Sequence, residues 1–359
     1  MNNFIKVKDL KKYLTDKVFW SRIYILLTLV VIIIFGIVNN EVKSFFGVIA
    51  GMDITFISVI VLVTVLYLLF EGGIIHYLLR SQKTEIKLPD SIKIGIIGLY
   101  YCYITPSSTG GQPAQAAYLK RHNIPMGGSI AAMFLKFFAY QTAFMLCTTA
   151  SLIYMHSTIA SMGNTLLYFS YFGLFMNGLW LVVIPLLFSR RCLRFMCKVC
   201  IKLANKIDFL KKRNFEEKIN KFEADFSDYS ERFRKNKKEI ILSVVFSIPQ
   251  AILQMSVLYF VYRALGNTEA GFVEITAMQH VLQASVCFMP MPGASGAQEI
   301  GFSAFMAPYF SESNMFASVL TWRFFTYYIF ILLGAVVIIV DQFTKPKNKT
   351  NKDTNKTAA

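Results

Sequence analysis

Six long apolar runs decide what this chain can become. They lie near residues 23–38, 54–79, 124–150, 165–189, 239–262 and 315–340. About 20 apolar residues suffice to cross a bilayer as a helix, the form in which a single segment satisfies its own backbone. The runs therefore predict an all-α polytopic membrane protein with six full spans. Composition agrees, because 16% of the 359 residues are charged against about 25% in a soluble domain. The first run follows a basic N-terminus but lacks a small-residue cleavage site before "NNEVK", so it is read as a retained span and not a signal peptide.

The net charge of +16 would suggest nucleic acid in a soluble protein, but here the cations sit between apolar runs. Lys and Arg number six in 1–22, four in 80–93, sixteen in 190–238 and five after 340, against one in 39–53, none in 151–164 and one in 263–274. The rich segments are expected in the cytoplasm, with both termini, and the poor ones outside. Anionic inner-leaflet lipid at the basic insert is the expected partner, and no nucleic acid.

Parity then fixes two further segments. Ile94–Leu119 is uncharged but interrupted by "TPSSTGGQPAQ". Were it to cross, sixteen basic residues would end outside, so it should enter from the cytoplasm, turn and return. By the same reasoning Ile275–Pro308, interrupted by "FMPMPGASGAQEIGF", should enter and leave on the outer side. Aligning Pro106 with Pro292 matches "PSSTGGQ" to "PGASGAQ", and Lys136 and Arg323 follow those prolines by 30 and 31 residues. Span, re-entrant helical hairpin and span thus occur twice, in 54–150 and 239–340. This predicts an inverted-topology repeat with a substrate site near the midplane. Two unrelated kinked helices are the alternative.

A helix that restarts inside a membrane exposes amides with no intrahelical partner, and with its dipole forms an anion site. The candidate substrate-binding residues are accordingly Pro106, Ser107, Ser108, Thr109, Gly110, Gly111 and Gln112 in the first break. In the second they are Pro292, Ser295, Gly296, Ala297, Gln298 and Glu299. The charges Glu71, Lys136 and Arg323, at membrane depth, join them. Lys136 and Arg323 either complement a phosphate or pair internally with Glu71 or Glu299. Glu299 either binds substrate or caps its helix. No catalytic residue, cofactor or metal is expected: Cys197 and Cys200 form a lone Cys-x-x-Cys without a second ligand pair.

The insert 190–238 carries two apolar stripes at helical spacing: Leu193, Met196, Cys200, Leu203, Ile207 and Leu210, then Phe215, Ile219, Phe222, Phe226, Tyr229 and Phe233. The first predicts an interfacial helix on anionic lipid, the second a helix packed against it. Residues 1–340 form a single transmembrane domain on this reading, and 341–359 a disordered basic tail.

The motifs "TPSSTGGQPAQAAYLKRHNIP" and "PMPGASGAQEIGF" resemble the flippase-like family named for the transmembrane region of lysylphosphatidylglycerol synthase, with likeness over most of 10–340. The resemblance implies movement of aminoacylated phosphatidylglycerol or another lipid between leaflets of a bacterial-type cytoplasmic membrane, and with it resistance to cationic peptides. Where many relatives carry an acidic residue after the first motif, this chain has Gln112 and Gln115. Full synthases also carry a soluble aminoacyl-transfer domain, and the 19 residues after Val340 leave no room for one. The expected function is therefore a lipid transporter for an anionic, aminoacylated or polyprenyl-phosphate lipid. A lysyltransferase or its membrane subunit, and a lipid-binding scaffold for envelope enzymes, are the alternatives. A homo-oligomer is left open.

Overall fold

The computed structural model of the protein describes residues 47, 50–205 and 215–344. The expected first span, Ile207, Leu210 and the tail from 345 lie outside the described residues. Among the described residues the regular elements are helical: α1 (Ile54–Ser81), α2 (Leu88–Ile104), α3 (Gly111–Leu119), α4 (Met126–Met162), α5 (Asn164–Leu187), α6 (Arg190–Ala204), α7 (Phe215–Lys235), α8 (Lys237–Ala264), α9 (Phe272–Val286), α10 (Ala297–Phe305), α11 (Glu312–Arg323) and α12 (Ile329–Thr344). A π-helical turn, Phe324–Tyr328, joins α11 to α12.

Five segments are long and apolar enough to cross a membrane: α1, α4, α5, α8 and the stretch Asn314–Asp341. They coincide with the five expected spans that fall in the described residues. α4 outruns its apolar stretch because nothing breaks it before Gly163, which leaves the helix at φ 130°. Leu62 and Val65 of α1, Phe175 and Val182 of α5, Ile241 of α8 and Val336 of α12 are exposed. An apolar surface of this extent suits hydrocarbon, not water.

The two interrupted segments each fold back on themselves. Pro106 disfavours helix for the residue before it, and Thr105 is extended at φ −109°, ψ 145°. The chain then turns and restarts as α3. Both ends of this unit return to one place: Ile86 and Ile124 share a buried cluster with Ile74, Leu78 and Ile94, and Lys93 and Arg121 both pair with Asp341. The α9–α10 unit does likewise. Ala270, Ile275, Phe305 and Phe310 share a second cluster, and Tyr309 donates its hydroxyl to Glu274 at 2.9 Å.

The long helix α8 orders these units in space. Ile240, near its start, packs on the first cluster, whereas Tyr262, near its end, lies in the second. The two folded-back units thus stand on opposite ends of the bundle. Their tips meet between, where Pro106 and Pro292 form an antiparallel backbone bridge.

The insert packs as two helices, although the first stripe divides. Leu193 and Cys197 of α6 are buried with Ala131 and Phe226, while Phe195, Met196, Val199, Cys200 and Leu203 stay exposed. α6 thus has two apolar faces, one against α7 and α4 and one exposed among the described residues. Burial, with Glu223 and Cys200 adding to it, pushes the Cys197 thiol up, as for a packing residue. On α7, Phe226 and Phe233 are buried as the second stripe requires. Arg194 meets Glu223 at 3.3 Å across the pair.

Candidate functional site

The proline alignment holds at the level of backbone conformation. Ser107 and Ser108 have φ of 51° and 54°, and Gly293 and Ala294, at the equivalent places, 57° and 50°. Ser108 and Ala294 donate to the carbonyls three residues back, Thr105 and Met291, at 3.2 and 2.9 Å. The Thr109 and Ser295 hydroxyls turn onto the Pro106 and Pro292 carbonyls at 3.0 and 2.9 Å. The helices that follow are nine residues each. Left-handed backbone at non-glycine residues is costly, so three such residues at matched positions mark a shape that the fold imposes.

A cavity of about 70 Å³ lies where the tips meet, room for several waters. Ser107 and Ser108 line it from the first break, and Gly293, Ala294 and Gln298 from the second. Arg323 reaches it from the end of α11, Gln254 from α8, and Gln279 and Gln283 from α9.

Arg323 is 4% exposed and is held from several sides. Nη1 donates to the Gly293 carbonyl at 3.2 Å and Nη2 to Ser295 Oγ at 3.0 Å. The guanidinium carbon lies 4.2 Å from the Tyr327 ring centre. Nε sits 2.8 Å from Glu299 Oε1, a charge contact without hydrogen-bond alignment. The π-helical turn begins at the next residue; such turns recur at functional sites. Gly293 makes this possible, since a Cβ there would fall 2.0 Å from Tyr327 Cε2.

The other cation behaves differently. Lys136 pairs with Glu71, and both are buried. Glu71 Oε1 also accepts from Gln115 Nε2 at 3.3 Å, and Oε2 from Gln250 Nε2 at 2.8 Å. Gly98 provides the space for this approach, because a Cβ there would lie 2.1 Å from Gln115 Nε2. Neither Lys136 nor Glu71 lines the cavity. Of the two expectations for the cations, internal pairing is the arrangement present in both cases.

The amides at the helix restarts are partly satisfied. Gly110 N–H donates to Thr105 Oγ1 at 2.9 Å, and Gly296 N–H to Glu299 Oε2 at 2.5 Å. Glu299 therefore caps its helix while it contacts Arg323. Gly111 packs on Cys102, its Cβ position 2.2 Å from the sulfur. Gln112 is half-buried and outside the cavity lining, and Ala297 opens α10. Pro106 through Thr109 and Pro292 are exposed, so the tips are open and not sealed in a dry interior.

A protein-family comparison matches residues 22–334 to the family described as lysylphosphatidylglycerol synthase TM region. The chain belongs to this family. No curated protein matches it in sequence. Its apolar helices and this membership make it a multi-pass membrane protein, related through the family to lysylphosphatidylglycerol synthesis.

Several cavity residues of this family member escape a reading of its motifs. Tyr103, Trp322 and Thr326 line the space, yet each resembles an ordinary core residue of its helical segment. The glutamines carried a weak signal. Gln141 fits simple helix–helix bonding, donating to Asn177 O at 3.1 Å. Gln254 instead bridges Tyr140 and Tyr103 beside the cavity, at 2.7 and 3.2 Å.

Proposed function

We propose that this protein moves a lipid with a phosphate-bearing headgroup between the leaflets of a cytoplasmic membrane. The anionic, aminoacylated and polyprenyl-phosphate lipids all belong to that class. One observation carries the reading: two folded-back helical units standing on opposite ends of the bundle meet tip to tip beside a polar cavity that holds a buried guanidinium.

Backbone that leaves helical form at membrane depth is tolerated only in protein or beside a water-filled cavity. The two units are read as re-entrant hairpins of an inverted-topology repeat, one entering from each face. Such repeats alternate access around a midplane site by rocking one half against the other. Ser107, Ser108, Gln298 and Arg323 are the residues assigned to the headgroup. Thr109, Ser295, Gly110 and Gly296 hold the turns, and Lys136 with Glu71 locks the first repeat. The exposed apolar face of α6, flanked by Arg191, Arg194, Lys198 and Lys202, is assigned to anionic inner-leaflet lipid.

The test is transfer of fluorescent phosphatidylglycerol and lysylphosphatidylglycerol across vesicles that contain the purified protein. Arg323→Ala should abolish most of the transfer. No movement of any anionic or aminoacylated lipid by the wild type overturns the proposal.

A further inference from the structure

The guanidinium that lines the cavity already holds an anion, and it is supplied by the chain itself. Glu299 Oε2 takes the Gly296 amide at the start of α10, and Oε1 sits against Arg323. A free amide at a helix start and a guanidinium are what a phosphate would bind. The two partners differ in freedom: the Arg323 side chain is 5% exposed and that of Glu299 35%. Arg323 cannot leave for water, whereas the carboxylate can.

The unpaired polar atoms of the cavity lining point to a ligand. Gln279 and Gln298 are 2% and 3% exposed and line the cavity. Each has a buried Oε1 with no hydrogen-bond partner among the described residues, although Gln298 Nε2 donates to Gln283 at 2.9 Å. Trp322, also lining, has a buried Nε1 without a partner. Buried polar atoms left unpaired cost free energy, so a site that keeps several together is built to receive complementary groups. Acceptors beyond an arginine suit an anion joined to hydroxyl or ammonium donors.

We propose that Glu299 is a resident stand-in for the substrate's phosphate, and that the site takes a phosphodiester headgroup ending in hydroxyl or ammonium groups. This rests on the transport reading and deepens it. When the headgroup enters, one phosphate oxygen replaces Oε1 against Arg323 and another replaces Oε2 on the Gly296 amide. The carboxylate turns outward to water, and the distal donors meet Gln279 and Gln298. One anion replaces another, so Arg323 never stands unpaired in a low-dielectric setting, where a lone charge is strongly disfavoured. Return of Glu299 expels the headgroup, so binding stays weak enough for turnover.

The experiment uses the full chain in nanodiscs and measures binding of dihexanoylphosphatidylglycerol and, separately, inorganic phosphate. Glu299→Gln removes the competing charge and should bind the short-chain lipid about tenfold tighter than wild type, the loss of one charge-assisted competitor. Its lipid transfer should slow through impaired release. Gln279→Leu should weaken lipid binding and leave phosphate binding unchanged. If Glu299→Gln does not purify folded, Glu299→Asp, one methylene too short to span both partners, should shift affinity in the same direction. Unchanged or weaker binding in the variant, with wild type still moving lipid, overturns the stand-in while leaving transport intact. Inorganic phosphate meets the same competitor and should gain with Glu299→Gln as well; an equal loss of phosphate and lipid binding in Gln279→Leu overturns the headgroup assignment. If wild type neither binds nor moves lipid, the transport reading falls and this inference with it.

Discussion

The pair Glu71–Lys136 offers a sharp test of what holds the bundle together. Glu71 is 4% exposed and Lys136 9%, and the carboxylate also serves Gln115 and Gln250. Two opposite charges 4 Å apart attract by about 4 kcal/mol at an effective dielectric near 20. Removing one partner of a buried pair strands the other and costs about 3–5 kcal/mol. Glu71→Leu should therefore lose about that much, because the Lys136 ammonium is left buried without its counter-ion. In Glu71→Leu/Lys136→Met no charge is stranded, and a buried pair replaced by apolar groups of similar volume is often near neutral. What remains is two glutamine amides without their acceptor, about 1 kcal/mol each. The double variant should thus be more stable than Glu71→Leu by roughly 2 kcal/mol. Reversible unfolding by dodecyl sulfate in mixed micelles measures both. The double variant should also keep most of its lipid transfer, because neither residue lines the cavity. A double variant no more stable than Glu71→Leu would refute the reasoning, since the stranded charge would then not be the source of the loss.

Two further outcomes follow from the folded-back units and from the crowding at the second break. Single cysteines replacing the exposed Glu85 and Asn123 should react with a membrane-impermeant maleimide from one face, and those replacing Thr268 and Ser311 from the other; a pair split between faces would show that its segment crosses. Gly293→Ala places a Cβ 2.0 Å from Tyr327 Cε2 at φ 57° and should cost about 2 kcal/mol or more from strain and overpacking. Lipid binding should fall further than stability, because both Gly293 and Tyr327 hold Arg323. Binding at wild-type strength would separate that geometry from the site.

Much of this architecture is legible in the residues, and the reasons are local ones. Charge-free runs and lysine-rich connections are read by the membrane itself, so the five described spans fall where expected. Pro106 and Pro292 mark the turns because proline disfavours helix at the residue before it. The small residues after each proline accept φ near 50°. Long-range pairing is not legible in this way. Lys136 meets Glu71 across 65 positions, and spacing along one helix says nothing about which neighbour faces it. The stripe on α6 misleads for a related reason: a helix with two apolar faces offers two stripes, and only packing shows that Leu193 and Cys197 form the inner one. Trp322 and Gln279 are hidden because a cavity is made by the absence of a neighbour, which no single segment encodes.

The two folded-back units share a backbone plan at their turns, but the cation beside each is neutralised differently, and the difference has a physical consequence. In the first, the carboxylate comes from α1, outside the folded-back unit, and two glutamine amides as well as Lys136 fix it. Moving it would strand several buried groups at once. In the second, the carboxylate lies on α10, three residues beyond the turn, and keeps a third of its surface open. It can swing away by changing its own rotamer. A bundle with two locked pairs would hold its conformation but offer nothing to a headgroup. With two open pairs it would lose the rigid half against which the other half moves. On the proposed transport reading, one locked and one releasable pair lets the first unit serve as a frame and the second as the exchange site. On this view the load on Glu71 is mechanical and that on Glu299 chemical. Exchanging the two environments, by placing a glutamate at Gln112 beside the first turn in the Glu299→Gln background, should not restore transfer, since Lys136 there is already paired with Glu71.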